Sequence, residues 1–227
     1  MTRLRDALIS VLLLVALLPV LLLAAGSNWL LTRRVLFRQV RLGRDLRPFV
    51  ILKFQTMVDG PADASTVTTA QDRRLTFFGR LLRLTKLDEL PQLVNVLRGE
   101  MSLVGPRALT PNEIARVPGE IARQVYTVPP GMTGLASVVF ADEERATGAA
   151  VDPEAYYFQT VLPQKMALEL TYTAHRGWWL DLLILAATPL AIILPGPTRR
   201  YFLRRFGNTA VSPVPAPEAP LPFRSRE

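Results

Sequence analysis

The stretch RLTKLDELPQLVNVLRGEMSLVGPR, residues 83–107, sets two adjacent carboxylates, Asp88 and Glu89, between arginines at Arg83 and Arg107. Pro91 lacks an N–H and is tolerated only in the first turn of a helix, so the spacing predicts a helix starting at about Asp88. Leu90, Leu93, Val94 and Leu97 recur at i, i+3, i+4, i+7 and predict one buried stripe, with Gly99 placed to end the helix. Asp88 and Glu89 then lie at the positive end of a rigid support. Two readings are open at this point. The acids are an ordinary N-cap and first-turn carboxylate, or they are a fixed pair able to position a metal beside phosphate-binding arginines.

Composition narrows the chemistry. The chain has 227 residues, enough for one domain with an anchor, and its 49% hydrophobic content is high for a freely soluble protein. It has no cysteine, which removes disulfides, a thiol nucleophile and a cysteine zinc site. With His175 the single histidine, a metal site has to be built mainly from carboxylates, which favours magnesium or manganese over zinc. His175, beside Arg176 and Trp178, reads as interfacial or structural. The net charge of +8 is concentrated around an apolar run, with Arg3 and Arg5 before it and Arg33, Arg34, Arg38, Arg41 and Arg44 after it. That distribution suits an anionic lipid surface; nothing resembles a base-reading pattern, so nucleic acid is not expected.

Ala7 to Ala25 is nearly continuous apolar sequence followed by Trp29, and it is expected to enter a membrane. A straight helix of this run nearly crosses a hydrocarbon core, so a signal anchor competes with a re-entrant segment. Pro19 breaks the helix midway and both flanks are basic, which by the positive-inside rule favours the re-entrant form with both ends on the cytoplasmic side.

Farther along, Gly60 to Gln71 reads as a polar loop, a candidate mobile cover, before a helical run from about Arg74 to Thr85 whose Phe77, Phe78, Leu81 and Leu82 form a core face. Pro129 to Gly134 reads as an irregular turn whose glycines allow backbone to approach a phosphate. Near the end, Trp178 and Trp179 lead into Leu182 to Leu194, too short for an ordinary span and expected to lie on the membrane. Arg199, Arg200, Arg204 and Arg205 follow. The Pro-, Ala- and Ser-rich sequence from about Gly207 is expected to be a disordered tail.

LDELPQLVNVLRGEMSLVGPR resembles, nearly residue for residue, the core motif of the bacterial sugar transferases, the small single-domain monotopic polyprenyl-phosphate phosphoglycosyltransferases. Lys53-Phe54-Gln55-Thr56-Met57 resembles the family's KFR[ST]M segment and Pro130 to Ala136 its PGITGWA loop, so the likeness runs from about residue 1 to 195. Gln55, Leu135 and Ser137 depart from the usual Arg, Trp and Gln, and Leu18 stands where many members have a Ser before the membrane proline; the first three bear on substrate identity more than on reaction type.

The resemblance implies an α+β, mostly helical fold. A membrane-embedded re-entrant helix (1–40, kinked at Pro19) precedes a cytoplasmic catalytic domain with amphipathic interfacial helices (41–206) and the tail (207–227). It implies an enzyme of the bacterial inner membrane, facing the cytoplasm. The reaction would move a sugar 1-phosphate from a nucleotide diphosphate sugar, usually a UDP-sugar, to a polyprenyl phosphate such as undecaprenyl phosphate, releasing UMP and initiating a membrane glycan. In that chemistry Asp88 is the nucleophile, Asp88 and Glu89 hold Mg2+, and Arg83, Arg107 and Lys53 bind substrate phosphates. Pro130, Gly131 and Gly134 lie near the substrate. A metal-dependent nucleotide-sugar hydrolase and a non-catalytic membrane adaptor are the rival readings; the sugar, the pathway and the oligomeric state are not readable from the sequence.

Overall fold

The computed structural model describes residues 2–58 and 74–207; the expected polar loop at 60–71 and the tail beyond Gly207 lie outside them. Helix α1 (Thr2–Ala16) and helix α2 (Leu18–Thr32) are bent 66° from one another at Leu17. Pro19 occupies the second position of α2, where its missing N–H costs little, so the break falls just ahead of it. Among the described residues no single helix is long and apolar enough to cross a membrane; the bent pair passes that test only together.

Strands β1 (Leu36–Leu42) and β2 (Pro48–Phe54) form an antiparallel hairpin in which Leu36 faces Phe54 and Leu42 faces Pro48. The hairpin thus runs through residue 40, where the membrane segment was expected to give way to the catalytic part. Helix α3 (Phe77–Leu84) starts at Thr76, whose hydroxyl accepts the Gly79 N–H at 2.8 Å. It does not start at Arg74, and its core face is smaller than expected. Leu82 is buried and Phe78 half-buried against Phe54 and Ala24, whereas Phe77 is 91% exposed and Leu81 and Leu84 are exposed as well.

Helix α4 (Gln92–Arg98) does not begin at Asp88 either. Lys86 takes a left-handed conformation, Leu87–Glu89 form a separate 3-10 turn, and Pro91, with no N–H to continue the ladder, becomes the cap of α4. The buried face also differs from the expected stripe: Gln92, Leu93, Asn95 and Val96 are buried, while Leu90, Val94 and Leu97 are only partly so. The reason is that α4 is packed between α1 and β2. Asn95 acts as a strand partner for β2, its Oδ1 accepting from Leu52 N at 3.1 Å and its Nδ2 donating to Val50 O at 2.8 Å. Gly99 ends the helix at φ 77°, as its position suggested.

Strand β3 (Ser102–Val104), helix α5 (Pro111–Ile114) and helix α6 (Gly119–Val125) lead to strand β4 (Gly131–Thr133), which pairs with β3 in parallel. The segment expected to be an irregular turn is therefore a short strand, fixed by a partner about thirty residues earlier. Helix α7 (Leu135–Val139), helix α8 (Glu143–Gly148) and helix α9 (Pro153–Tyr156) follow. A π-helical turn at Tyr157–Val161, where Pro163 cannot supply its N–H, joins α9 to helix α10 (Leu162–His175). Helix α11 (Trp178–Ile193) and helix α12 (Pro195–Phe206) complete the order.

The main core gathers Leu93, Val104, Leu135, Val138, Leu168, Tyr172 and Ile184 between α4, α7, α10 and α11; a second cluster joins Leu109, Val125, Tyr126, Leu162 and Met166. The fold is mostly helical with two small sheets. His175 is exposed at the end of α10, its Nδ1 3.0 Å from Thr171 O, a helix-end contact away from the acids.

Candidate active site

The 3-10 turn presents Asp88 and Glu89 to a polar cleft of about 160 Å³ that also meets Arg41, Lys53, Arg83, Lys86 and Arg107. The cations arrive on several supports: Arg41 and Lys53 from the two strands of the hairpin, Arg83 from the last turn of α3, Lys86 from the cap of the 3-10 turn, and Arg107 from the loop after β3. Lys53 Nζ donates to Glu89 Oε1 at 2.6 Å, and Arg107 Nη1 stands 3.9 Å from the same oxygen. Arg83 Nε donates to Thr56 Oγ1 at 3.1 Å. All five charged residues singled out in the sequence are thus brought to one cleft.

The two acids are electrostatically unequal. Asp88 is 6% exposed, and burial together with the neighbouring Glu89 carboxylate pushes its pKa up to about 6. Burial pushes Glu89 up as well, but Lys53 and Arg107 outweigh it and hold Glu89 down at about 2. Asp88 Oδ1 is buried and accepts no hydrogen bond. An orphaned oxygen beside cations is poised either to attack an electrophile or to take a cation. Among the described residues no third carboxylate or histidine joins the pair. Two carboxylates suit a magnesium ion that keeps waters and draws its other ligands from phosphate oxygens.

Around this cleft lies a buried polar layer that the sequence reading did not pick out. Glu113 accepts from Arg41 Nη1 at 3.2 Å, Tyr157 OH at 2.7 Å and Thr110 N at 2.7 Å, so it fixes the hairpin arginine to α5 and the π turn. The Thr110-Pro-Asn-Glu113 capping box is the signal that could have found Glu113, whose further partners lie far away in sequence. The Arg107 main chain is held from both sides: its N–H donates to Glu169 Oε1 at 3.1 Å and its carbonyl accepts from Tyr126 OH at 2.6 Å. Lys165 and Glu143 form an ion pair at the edge of the cleft. Lys165 and Glu169 sit four apart on α10 among Leu162 and Met166, and polar residues inside an apolar helical stripe were the available signal.

Pro130, Gly131 and Gly134 do not line the polar cleft. A side chain at Gly131 or Gly134 would overlap the backbone of Gly105, so these glycines permit strand β4 to cross the Gly105-Pro106-Arg107 loop. The close contacts they make within the fold are to backbone. Among the departures, Gln55 is buried with its Nε2 donating to Met57 O at 2.5 Å, Leu135 is fully buried in the core, and Ser137 lines an apolar groove.

Glu169 gives a prediction. It is fully buried, and burial raises its pKa to about 8 against the opposing effect of the Arg107 N–H, Lys165 and the Arg107 charge. Between 4.5 and about 8 the folded protein holds a proton that the unfolded chain has lost, so this stability is complete below pH 4.5 and is lost as pH rises through 8. Glu169→Gln removes that dependence. Thermal midpoints should fall with rising pH more steeply in wild type than in Glu169→Gln, by an amount worth a few kcal/mol at most. Parallel curves would show that Glu169 is ionised in the fold.

The family model for bacterial sugar transferases matches residues 1–195, and the chain belongs to that family. It is 38% identical over 196 residues to the UDP-glucose:undecaprenyl-phosphate glucose-1-phosphate transferase of Klebsiella pneumoniae, covering 82% of this chain and 38% of the relative. It is 38% identical to the undecaprenyl-phosphate glucose phosphotransferase of Komagataeibacter xylinus, covering 82% and 34%. A transferase of the same name as the first, from Caulobacter vibrioides, is 40% identical, covering 82% and 67%. The chain therefore spans only a little over a third of the length of the first two.

Proposed function

We propose that this chain transfers a sugar 1-phosphate from a UDP-sugar to a polyprenyl phosphate, undecaprenyl phosphate in the first instance, with release of UMP, as the opening step of a membrane glycan. The observation that carries the reading is the buried, unpartnered Asp88 oxygen in a cleft of fixed cations that shares Glu89 and Arg107 with an apolar groove. A charged donor and a lipid acceptor can meet there. The names of the relatives point the same way and make UDP-glucose the first donor to try.

At neutral pH Asp88 is largely ionised, since its pKa of about 6 lies below that pH. Its carboxylate attacks the sugar-bearing phosphorus, a new P–O bond forms, the bond to the bridging oxygen breaks, and UMP leaves with that oxygen and its electron pair. An oxygen of the acceptor phosphate then attacks the same phosphorus and returns the carboxylate to Asp88. Arg83, Arg107 and Lys53 hold phosphate oxygens and spread their charge, the guanidinium groups in a bidentate way that lysine does not reproduce. Magnesium held by Asp88 and Glu89 would neutralise the diphosphate.

The test is a panel of nucleotide sugars assayed for UMP, with and without undecaprenyl phosphate. Expected are about one UMP per protein without acceptor, and continuous release with organic-soluble sugar when acceptor is present. Continuous release without acceptor would make the chain a hydrolase, and no release from any donor would leave the adaptor reading.

The bent pair α1 and α2 is assigned to one leaflet of the inner membrane, with the cleft on the cytoplasmic side. Leu8, Leu12, Val15, Leu22 and Leu23 are exposed apolar residues along it, and arginines flank both ends. Since the chain has no cysteine, single cysteines at Thr2 and Thr32 report directly. Both should resist an impermeant thiol reagent in intact cells and react after permeabilisation. Labelling at Thr2 alone in intact cells would establish a full span.

A further inference from the structure

Beside the polar cleft runs an apolar groove of about 280 Å³ between α1, α4, α7 and α11, walled by Leu13, Leu93, Val138, Leu185 and Ile192. Its lining also includes the charged residues Lys86, Glu89, Arg107, Glu143 and Lys165. We propose that Lys165, paired with Glu143 in the lining of this groove, binds the phosphate of the prenyl acceptor. The assignment rests on the two-substrate transfer proposed above and gives its second substrate a place.

Lys165 is 3% exposed, and its ammonium lies 5.5 Å from the ring centre of Tyr157 and 6.0 Å from that of Phe140. A lysine charge in such surroundings is costly unless an anion faces it. Glu143 fills that role from the short helix α8, while Lys165 stands on the long and well-packed α10. The cation is fixed and its present partner sits on the lighter support. A phosphate monoester brings up to two negative charges and several acceptor oxygens, so it meets the three ammonium donors better than one carboxylate does.

The lining separates the two substrates. Arg41, Lys53, Arg83 and Asp88 line the polar cleft and not the groove, whereas Lys165 lines the groove and not the cleft. Lys86, Glu89, Arg107 and Glu143 line both, which is where a phosphorus passing between two substrates must be. A ligand that is apolar along its length and carries one phosphate at its end matches the groove. A nucleotide diphosphate does not, since it has no apolar part to fill it.

Two measurements test this. In turnover, Lys165→Met should raise the KM for undecaprenyl phosphate at least tenfold with a clearly smaller effect on the single UMP release without acceptor, and Lys165→Arg should recover much of that loss. Equal losses in both half-reactions, or an unchanged acceptor KM, would overturn the proposal. In equilibrium binding without any donor, farnesyl phosphate is compared with farnesol, inorganic phosphate and anionic phospholipid vesicles. The double variant Lys165→Met, Glu143→Gln carries no unpaired buried charge and is suited to fold. Farnesyl phosphate should bind wild type at least tenfold tighter than the double variant, with farnesol binding both alike. Equal affinities for farnesyl phosphate would overturn the proposal, as would a difference matched by inorganic phosphate alone or by the vesicles. This second measurement needs no covalent intermediate. Loss of the single UMP release in wild type would therefore count against Asp88 as nucleophile and leave the Lys165 assignment to stand or fall on binding.

Discussion

Asp88→Asn should abolish UMP release, by at least about a thousandfold, or about 4 kcal/mol of barrier, while the protein remains folded. The amide has the same shape but cannot form the acyl phosphate. Nothing in the fold depends on the oxygen proposed to react, because Asp88 Oδ1 accepts no hydrogen bond. Stability should if anything rise. Burial and Glu89 lift the folded pKa from 3.8 to about 6, so above pH 3.8 the folded state resists an ionisation that the unfolded chain makes freely. Stability is therefore lost as pH rises through 6, and removing the charge returns up to a few kcal/mol at neutral pH. The combination of a higher thermal midpoint with no turnover is the signature of a site that trades stability for reactivity. Activity within about tenfold of wild type would remove Asp88 as the nucleophile.

Gly131→Ala should be the most damaging substitution to the fold. A Cβ there would overlap the Gly105 nitrogen and crowd the Thr133 carbonyl, both main-chain atoms that no rotamer change can move. Those atoms belong to the ladder that builds the site: Gly131 N donates to Pro106 O at 2.9 Å and Gly105 N to Thr133 O at 3.0 Å, with Arg107 bridged to Gly131. Relief requires separating β3 from β4, at a cost of roughly 3 kcal/mol or more. The expected result is poor accumulation or a thermal midpoint lowered by many degrees, with the surviving fraction impaired in turnover because Arg107 has moved. Gly26→Ala is the control. Nothing lies within 4 Å of its added carbon, and in the interior of α2 the change should be neutral or stabilising by up to about 1 kcal/mol. Wild-type stability in Gly131→Ala would show that the two strands do not need their close approach.

The charged residues of the cleft stood out because most of them lie in or beside one uninterrupted stretch, where spacing left two readings open and the resemblance to the bacterial sugar transferases decided between them. Gly99 and Pro91 likewise act through their own backbone, and both mark an end of α4, although Pro91 stands ahead of the helix that was expected to contain it. What could not be read depended on partners far away in sequence. The burial of Asn95 follows from the open edge of β2, and the exposure of Phe77 from α3 touching the body on one narrow face. The strand at Gly131 exists only because β3 lies beside it. Glu113 shows in the sequence only as part of a capping box, and Lys165 and Glu169 only as breaks in an apolar stripe; their roles appear when the elements packed against them are known.

The first turn of α1 is tied into the body of the protein. Arg5 Nη2 donates to Asp181 Oδ2 of α11 at 3.0 Å, while the buried Asp6 accepts from Ser102 Oγ of β3 at 2.5 Å, one residue from Leu103 in the groove wall. Asp181 also accepts from Tyr172 OH of α10 at 2.8 Å. Helix α1 therefore cannot rock on its own, and whatever depth its apolar face reaches is transmitted to the cleft as a fixed height. With α1 and α2 seated in one leaflet, as proposed, the bent pair would work as a depth gauge. Catalysis should accordingly be sensitive to bilayer thickness: a lipid surface slightly too high or too low would present the acceptor's phosphate out of reach, with every residue of the site still in place.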